Sequence, residues 1–203
     1  MASVFRALLL AVFAIAIASG ARAEDGFMSE RSLGRSDAPI KVDEYFSMTC
    51  SHCADFYLDT LPLLEKRYIE TGKLRIIMHD FPLGALSLKA AVVSRCMPKD
   101  TYHPFIKTLF GALKDGSFGG NETEPKLYQY AALGGLAMDR AKACAADPKL
   151  QDALIAGRTE ATTKYNVQAT PTFVINDGAE IINGAMSAEA FFNVFDRLLA
   201  AKK

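Results

Sequence analysis

The stretch that most constrains this chain runs from Glu44 to Ala54, where a strand-like segment meets a Cys-x-x-Cys pair and the pair opens a helix-like one. Residues 39–46 carry Ile40, Val42, Tyr45 and Phe46, apolar enough at the end to cover both faces of a sheet. Residues 53–70 place Phe56, Tyr57, Leu61, Leu64 and Tyr68 at helical spacing, with Asp55, Asp59, Glu65 and Lys66 on the wet side. Pro62 lies inside that pattern and, lacking a donor N–H, should kink the helix. Residues 74–79 read as a second strand, so strand–helix–strand predicts a right-handed parallel crossover.

At a helix start the first N–H groups have no internal partner, and the positive end of the dipole faces them. A thiolate there is stabilised. Cys50 should therefore be the exposed nucleophile and Cys53, one turn further in, the buried resolving thiol. His52, as imidazolium or through an imidazole N–H, would favour the Cys50 thiolate further. Stabilising the reduced form makes the disulfide the stronger oxidant, so the motif points towards a donor of disulfides. A zinc site would need two more ligands, and Cys96, Cys144, His79 and His103 stand in no paired spacing. No metal and no cofactor is implied, since the two sulfurs carry the electrons. His79 and His103 read as surface or packing residues.

The 203-residue chain starts with a signal-like segment. Arg6 precedes an apolar run over residues 7–18, and Ala21-Arg22-Ala23 is a small-x-small cleavage site. The run is shorter than the roughly 20 residues needed to span a bilayer. Residues 1–23 are therefore expected to be cleaved during export; the rival reading is an uncleaved membrane anchor. Without them, Lys and Arg fall from 23 to 21 against 23 acids, a charge of −2. That balance offers no footprint for nucleic acid. Four cysteines behind an export signal fit an oxidising compartment and allow three pairings.

Residues 24–37 are polar, with Gly26 and Gly34, and read as a flexible start. From residue 85 to about 153 there is no strand pattern; helical stretches at 87–96, 102–113, 124–133 and 138–146 are punctuated by Pro98, residues 116–120, Gly134-Gly135 and Pro148. A further helix, from about 148 to 165, would bring the chain back to the sheet. Residues 168–175 read as a turn followed by a strand, Asn176-Asp177-Gly178-Ala179 as a tight hairpin and 180–182 as its return. Ser187 should cap a last helix. The expected organisation is an α/β domain in two parts, residues 24–83 and 156–203, around an all-helical insertion at 84–155.

The segment from Glu44 through Cys53 resembles the active-site strand of the DsbA family, bacterial secreted oxidases of thioredoxin fold. The likeness continues in Asp80-Phe81-Pro82-Leu83, in the helical insertion and in residues 167–173. It implies a cis Pro171 facing the cysteines, with the backbone of Thr170 offered to a substrate strand beside Cys50. It also implies a proton-relay role for Glu44 beneath Cys53. The alternative for Glu44 is a strand-end acid turned to solvent or paired with a lysine. Ser51 stands where the family most often has proline, and Thr170 where its best-known members have valine. Substrates would be thiols of unfolded exported proteins, and a membrane protein of the DsbB kind would reoxidise the enzyme, itself expected to be a monomer. A disulfide isomerase or reductase using the same sulfurs is the alternative, although the span before the first strand is too short for a dimerisation domain. A non-enzymatic chaperone would not require the cysteines. In an oxidising compartment Cys96 and Cys144 should pair with each other; the other reading is a second redox pair.

The acceptor pattern Asn121-Glu122-Thr123 is discounted as a glycosylation site because the family is bacterial.

Overall fold

The structure, a computed structural model, describes residues 24–119 and 123–201. The expected signal segment and the Asn121-Glu122 pair of the acceptor pattern lie outside the described residues. The chain runs α1 (Glu24–Phe27), β1 (Ser32–Leu33), β2 (Ile40–Phe46), the redox helix α2 (51–69), β3 (Leu74–Asp80), then α3 (Ala85–Cys96), α4 (Tyr102–Lys114), α5 (Thr123–Leu133), α6 (Met138–Ala145) and α7 (Pro148–Tyr165). It closes with β4 (Thr172–Ile175), β5 (Glu180–Asn183) and α8 (Ala188–Ala200). The sheet order is β1-β3-β2-β4-β5, with β2 parallel to β3 and β4 antiparallel to β2. This is a thioredoxin fold carrying an inserted helical block.

Side chains alternate across β2. Val42 and Phe46 join Met78 and Phe173 in one core with α2, α8 and the helical insertion. In that core Phe56 lies 4.6 Å from Phe173 and 5.5 Å from Phe191, while Phe110 of α4 reaches Phe46 at 6.2 Å and Tyr57 at 5.4 Å. Truncating a buried ring such as Phe56 would cost about 3–5 kcal/mol. On the other face Tyr45 and Val174 pack with Phe81, Ala161 and Tyr165 beneath α7.

Several local details depart from the sequence reading. Residues 24–37 hold the short elements α1 and β1, and β1 pairs with the edge of β3. Arg31 is buried there, and its carbonyl accepts the Met78 N–H at 2.8 Å. Gly34 has φ +94°, and a Cβ at that position would meet the Leu74 carbonyl at 2.3 Å, so the glycine is a close-approach residue rather than a mark of flexibility. The wide helical turns Phe56–Thr60 and Glu65–Ile69 bracket Pro62, with the Leu61 N–H reaching back five residues to Phe56. Wide turns are one way a helix takes up a proline that cannot donate. Helix α3 starts at Ala85, two residues earlier than expected, because the Ser87 hydroxyl reaches back to accept the N–H groups of Leu83 (2.8 Å) and Gly84 (2.9 Å). Asn176 (φ 46°), Asp177 (φ 59°) and Gly178 (φ 101°) form the β4–β5 turn, the positive-φ chemistry their identities predict. Ser187 caps α8 by accepting the Ala190 N–H at 3.3 Å.

Candidate redox site

Central strand β2 ends at Phe46, and a short turn, closed by the Cys50 N–H on the Ser47 carbonyl at 3.1 Å, delivers Cys50 to the start of α2. Cys50 is the N-cap residue itself, with extended backbone (φ −92°, ψ 118°), and its sulfur accepts the Cys53 N–H at 3.4 Å. In a common N-cap an oxygen does this work; here it is the sulfur. Cys53 is fully buried, while Cys50 is part-exposed. Both are free thiols.

The two sulfurs have opposite environments. The Cys50 thiol is held down to about 5, first by a hydrogen bond from the Cys53 side chain, against the cost of partial burial, and further by Thr170 and the backbone N–H groups of Cys53 and His52. Burial, together with the neighbouring Cys50 sulfur, pushes the Cys53 thiol far up. One sulfur is therefore a thiolate at neutral pH and the other a thiol. That is the division of labour a nucleophile and a resolving thiol need.

Ser51 and His52 are exposed. The His52 imidazole is turned outward, its Nδ1 at 3.6 Å from Asp55. Asp55 also pairs with Lys114. The part of His52 that helps to lower the Cys50 thiol is its backbone N–H, a smaller contribution than that of the Cys53 side chain, while the imidazole expected to do so from sequence stands towards Asp55.

Thr170 and Pro171 arrive from the loop between α7 and β4. The Thr170–Pro171 peptide is cis, and the Cys50 thiol meets the Thr170 carbonyl at 3.3 Å. Residues 120 positions apart thus form one site. Glu44 lies on β2, on the face shared by Val42, Phe46 and Cys53, and is 1% exposed with neither carboxylate oxygen hydrogen-bonded. Desolvation raises its pKa to about 8. The solvent-facing and lysine-paired alternatives do not describe it.

Cys96 and Cys144 are bonded to each other, joining the end of α3 to α6 within the helical block. Two side-chain pairs were not foreseen from the sequence. Asp80 and Arg95 form a buried pair at 2.6 Å, and His79, read as a surface or packing residue, pairs with Asp43 at 2.7 Å and stacks on Tyr45 at 4.9 Å. The signal for the first was present: Arg95 interrupts an otherwise small and apolar α3 face just before Cys96.

The thioredoxin family model matches residues 28–197. Solved structures with this architecture include alpha-DsbA1 from Wolbachia pipientis, 31% identical over 86% of this chain and 92% of that one, with a TM-score of 0.77. BdbD from Bacillus subtilis, at 22% identity, a TM-score of 0.71 and coverage of 84% of this chain and 93% of that one, shows the same fold. Among curated relatives, the "Putative protein-disulfide oxidoreductase" of Rickettsia bellii is 30% identical over 71% of this chain and 56% of its own length. Its counterpart in Rickettsia conorii is 27% identical over 84% and 61%. The chain thus spans 56–61% of the length of these curated relatives.

Proposed function

Since the chain belongs to the thioredoxin family and, within it, to the DsbA-like protein-disulfide oxidoreductases, we propose that it introduces disulfide bonds into unfolded exported proteins through Cys50 and Cys53. The observation that carries this is the Cys50 sulfur at the start of α2, accepting the Cys53 N–H and beside the Thr170 carbonyl, with its thiol held down to about 5.

The cycle starts from the Cys50–Cys53 disulfide. A substrate thiolate attacks the Cys50 sulfur. The Cys50–Cys53 bond breaks, a mixed disulfide forms on Cys50, and the electron pair leaves on Cys53. Cys53 is buried and holds its proton strongly, so it must take one up as it leaves. Glu44, protonated below about 8 and on the same buried face, is the proposed source. A second substrate thiolate attacks the substrate sulfur of the mixed disulfide, the substrate disulfide closes and Cys50 leaves as thiolate. A leaving thiol of low pKa departs faster, and the stabilised reduced enzyme makes the overall transfer favourable. Two electrons now sit on the enzyme and pass to a reoxidant, proposed to be a DsbB-like membrane protein. The Thr170 backbone is the proposed ledge for the substrate strand, Pro171 fixes it there, and Ser51 and His52 line its exposed side. The proposed setting is the periplasm, after removal of residues 1–23, with the enzyme acting as a monomer.

Equilibration with glutathione, read by thiol trapping of wild type and Cys53→Ser, tests the proposal. A potential near −120 mV with glutathione trapped on Cys50 supports an oxidase; one near −270 mV, the thioredoxin range, sinks it in favour of a reductase.

A further inference from the structure

A polar cavity of about 360 Å³ lies between β1, the edge of β3 and the start of α4. Its walls are Glu30, Arg31, Ser32, Arg75, Lys99 and His103. His103 is held neutral, its pKa lowered to about 4 by burial, and its Nδ1 is engaged with the Tyr57 hydroxyl at 3.1 Å. The remaining walls hold three cations against one carboxylate, a local charge of +2.

That excess charge is partly buried. Arg31 is 4% exposed. Its Nη2 donates to the carbonyls of Arg95 (3.1 Å) and Met97 (3.5 Å), and its guanidinium lies 4.9 Å from the Tyr102 ring centre. Its Nε and Nη1 have no partner. The nearby buried acid, Asp80, bonds to Arg95 at 2.6 Å; its charge also reaches Arg31, but Arg95 opposes it there. Arg75 repeats the pattern on the opposite wall: one nitrogen reaches Glu30 and Ser32, and its buried Nε has no partner. A buried guanidinium whose counter-charge is shared is costly, and unmade charged hydrogen bonds add to that cost.

We propose that this cavity binds a small organic oxyanion, a carboxylate or phosphate ester, whose oxygens meet the accessible end of Arg75 and the Lys99 ammonium, while the buried Arg31 guanidinium behind the wall adds its charge to the site. Arginine suits both oxyanions because its donors are fixed in a plane. The volume falls in the range of small-molecule sites and exceeds what one inorganic ion fills. The site lies apart from the cysteines and uses none of the residues assigned to disulfide exchange.

Thermal unfolding of the full chain with succinate, with glycerol phosphate, and with sodium chloride or neutral glycerol as controls at matched ionic strength tests this. The expected result is a saturable rise in melting temperature with one of the two organic anions, above both controls. The rise should be shifted to about tenfold higher concentration in the Arg75→Gln/Lys99→Gln double variant, which leaves the buried Arg31 in place. If neither anion exceeds chloride, or if the double variant responds like wild type, the proposal is wrong. The two arms distinguish the carboxylate from the phosphate.

Discussion

Asp43 and Glu44 are consecutive buried carboxylates on β2 that face opposite sides of the sheet, and only Asp43 has partners there. Burial alone would raise the Asp43 carboxyl, but the hydrogen bonds and charges of His79 and Lys41 hold it below the usual range. Glu44 has desolvation and nothing to offset it, so it rises to about 8. The same residue chemistry gives an ion-paired acid on one face and an unpartnered, raised-pKa acid on the other.

Glu44 makes stability fall with rising pH. Below about 4.5 the carboxyl is protonated in both folded and unfolded chains and contributes no pH dependence. Between 4.5 and about 8 only the unfolded chain releases the proton, so folding loses up to about 1.4 kcal/mol per pH unit, about 5 kcal/mol in all. Above about 8 the loss is complete. The stability of Glu44→Gln minus that of wild type should therefore climb across this window, as read by urea unfolding at pH 5, 6.5 and 8. A flat difference would mean that Glu44 is ionised in the fold. The same variant should slow formation of the mixed disulfide, the step in which Cys53 leaves and takes up a proton, and leave the rate of alkylation at Cys50 unchanged.

The Cys50 thiol behaves in the opposite way. Its pKa is depressed from 9 to about 5, so the stabilisation it gives the reduced protein is fully present above pH 9 and is lost as pH falls through 5. Thiolate absorbance or iodoacetamide alkylation against pH should give a midpoint near 5. The largest cause is the hydrogen bond from the Cys53 side chain, so Cys53→Ala should move that midpoint up by about one unit or more, and Cys53→Ser, which keeps a donor, by less. Equal midpoints in both variants would assign the depression to the helix start instead.

Much of this site is legible in the sequence because its parts follow local rules. Cys50 caps a helix whose apolar spacing is visible from Phe56 to Tyr68, and the Asn176-Asp177-Gly178 turn carries its own positive-φ chemistry. What escapes is non-local. The direction of the His52 ring depends on Asp55, which Lys114 of α4 also engages. The pairing of His79 depends on which face of β2 Asp43 takes. The burial of Arg31 depends on β1 closing the edge of β3, and a two-residue strand has no periodicity to read. The burial of Glu44 rests on tertiary packing.

Asp80 ends β3, and Arg95 precedes the disulfide cysteine of α3, yet their side chains meet at 2.6 Å with both nearly sealed from water. Arg95 also donates to the carbonyls of Ser29 (3.1 Å) and Met78 (3.3 Å), tying the N-terminal segment, the sheet and the helical block together. Removing one member strands the other charge in the core. Asp80→Asn should lower stability by about 3–5 kcal/mol in denaturant unfolding, far more than Arg67→Gln, which breaks the half-exposed pair with Asp196. A loss near 1 kcal/mol would mean that water reaches the pair.

The Cys96–Cys144 bond lies within the helical block and closes a separation of 48 residues. On the chain-entropy account, a loop of that size limits the unfolded chain enough to stabilise the fold by about 4 kcal/mol. Cys96 is also buried with Val92, Leu150 and Leu154, so the bond is embedded in a satellite core joining α3 to α7. The Cys96→Ala/Cys144→Ala variant should therefore lose about 4 kcal/mol in urea unfolding with the active-site pair oxidised in both proteins. The glutathione equilibrium of Cys50–Cys53 should stay where it is in wild type, because neither Cys96 nor Cys144 is among the groups that set the Cys50 thiol. A shifted equilibrium with unchanged stability would reverse the assignment and make the second pair part of the redox machinery.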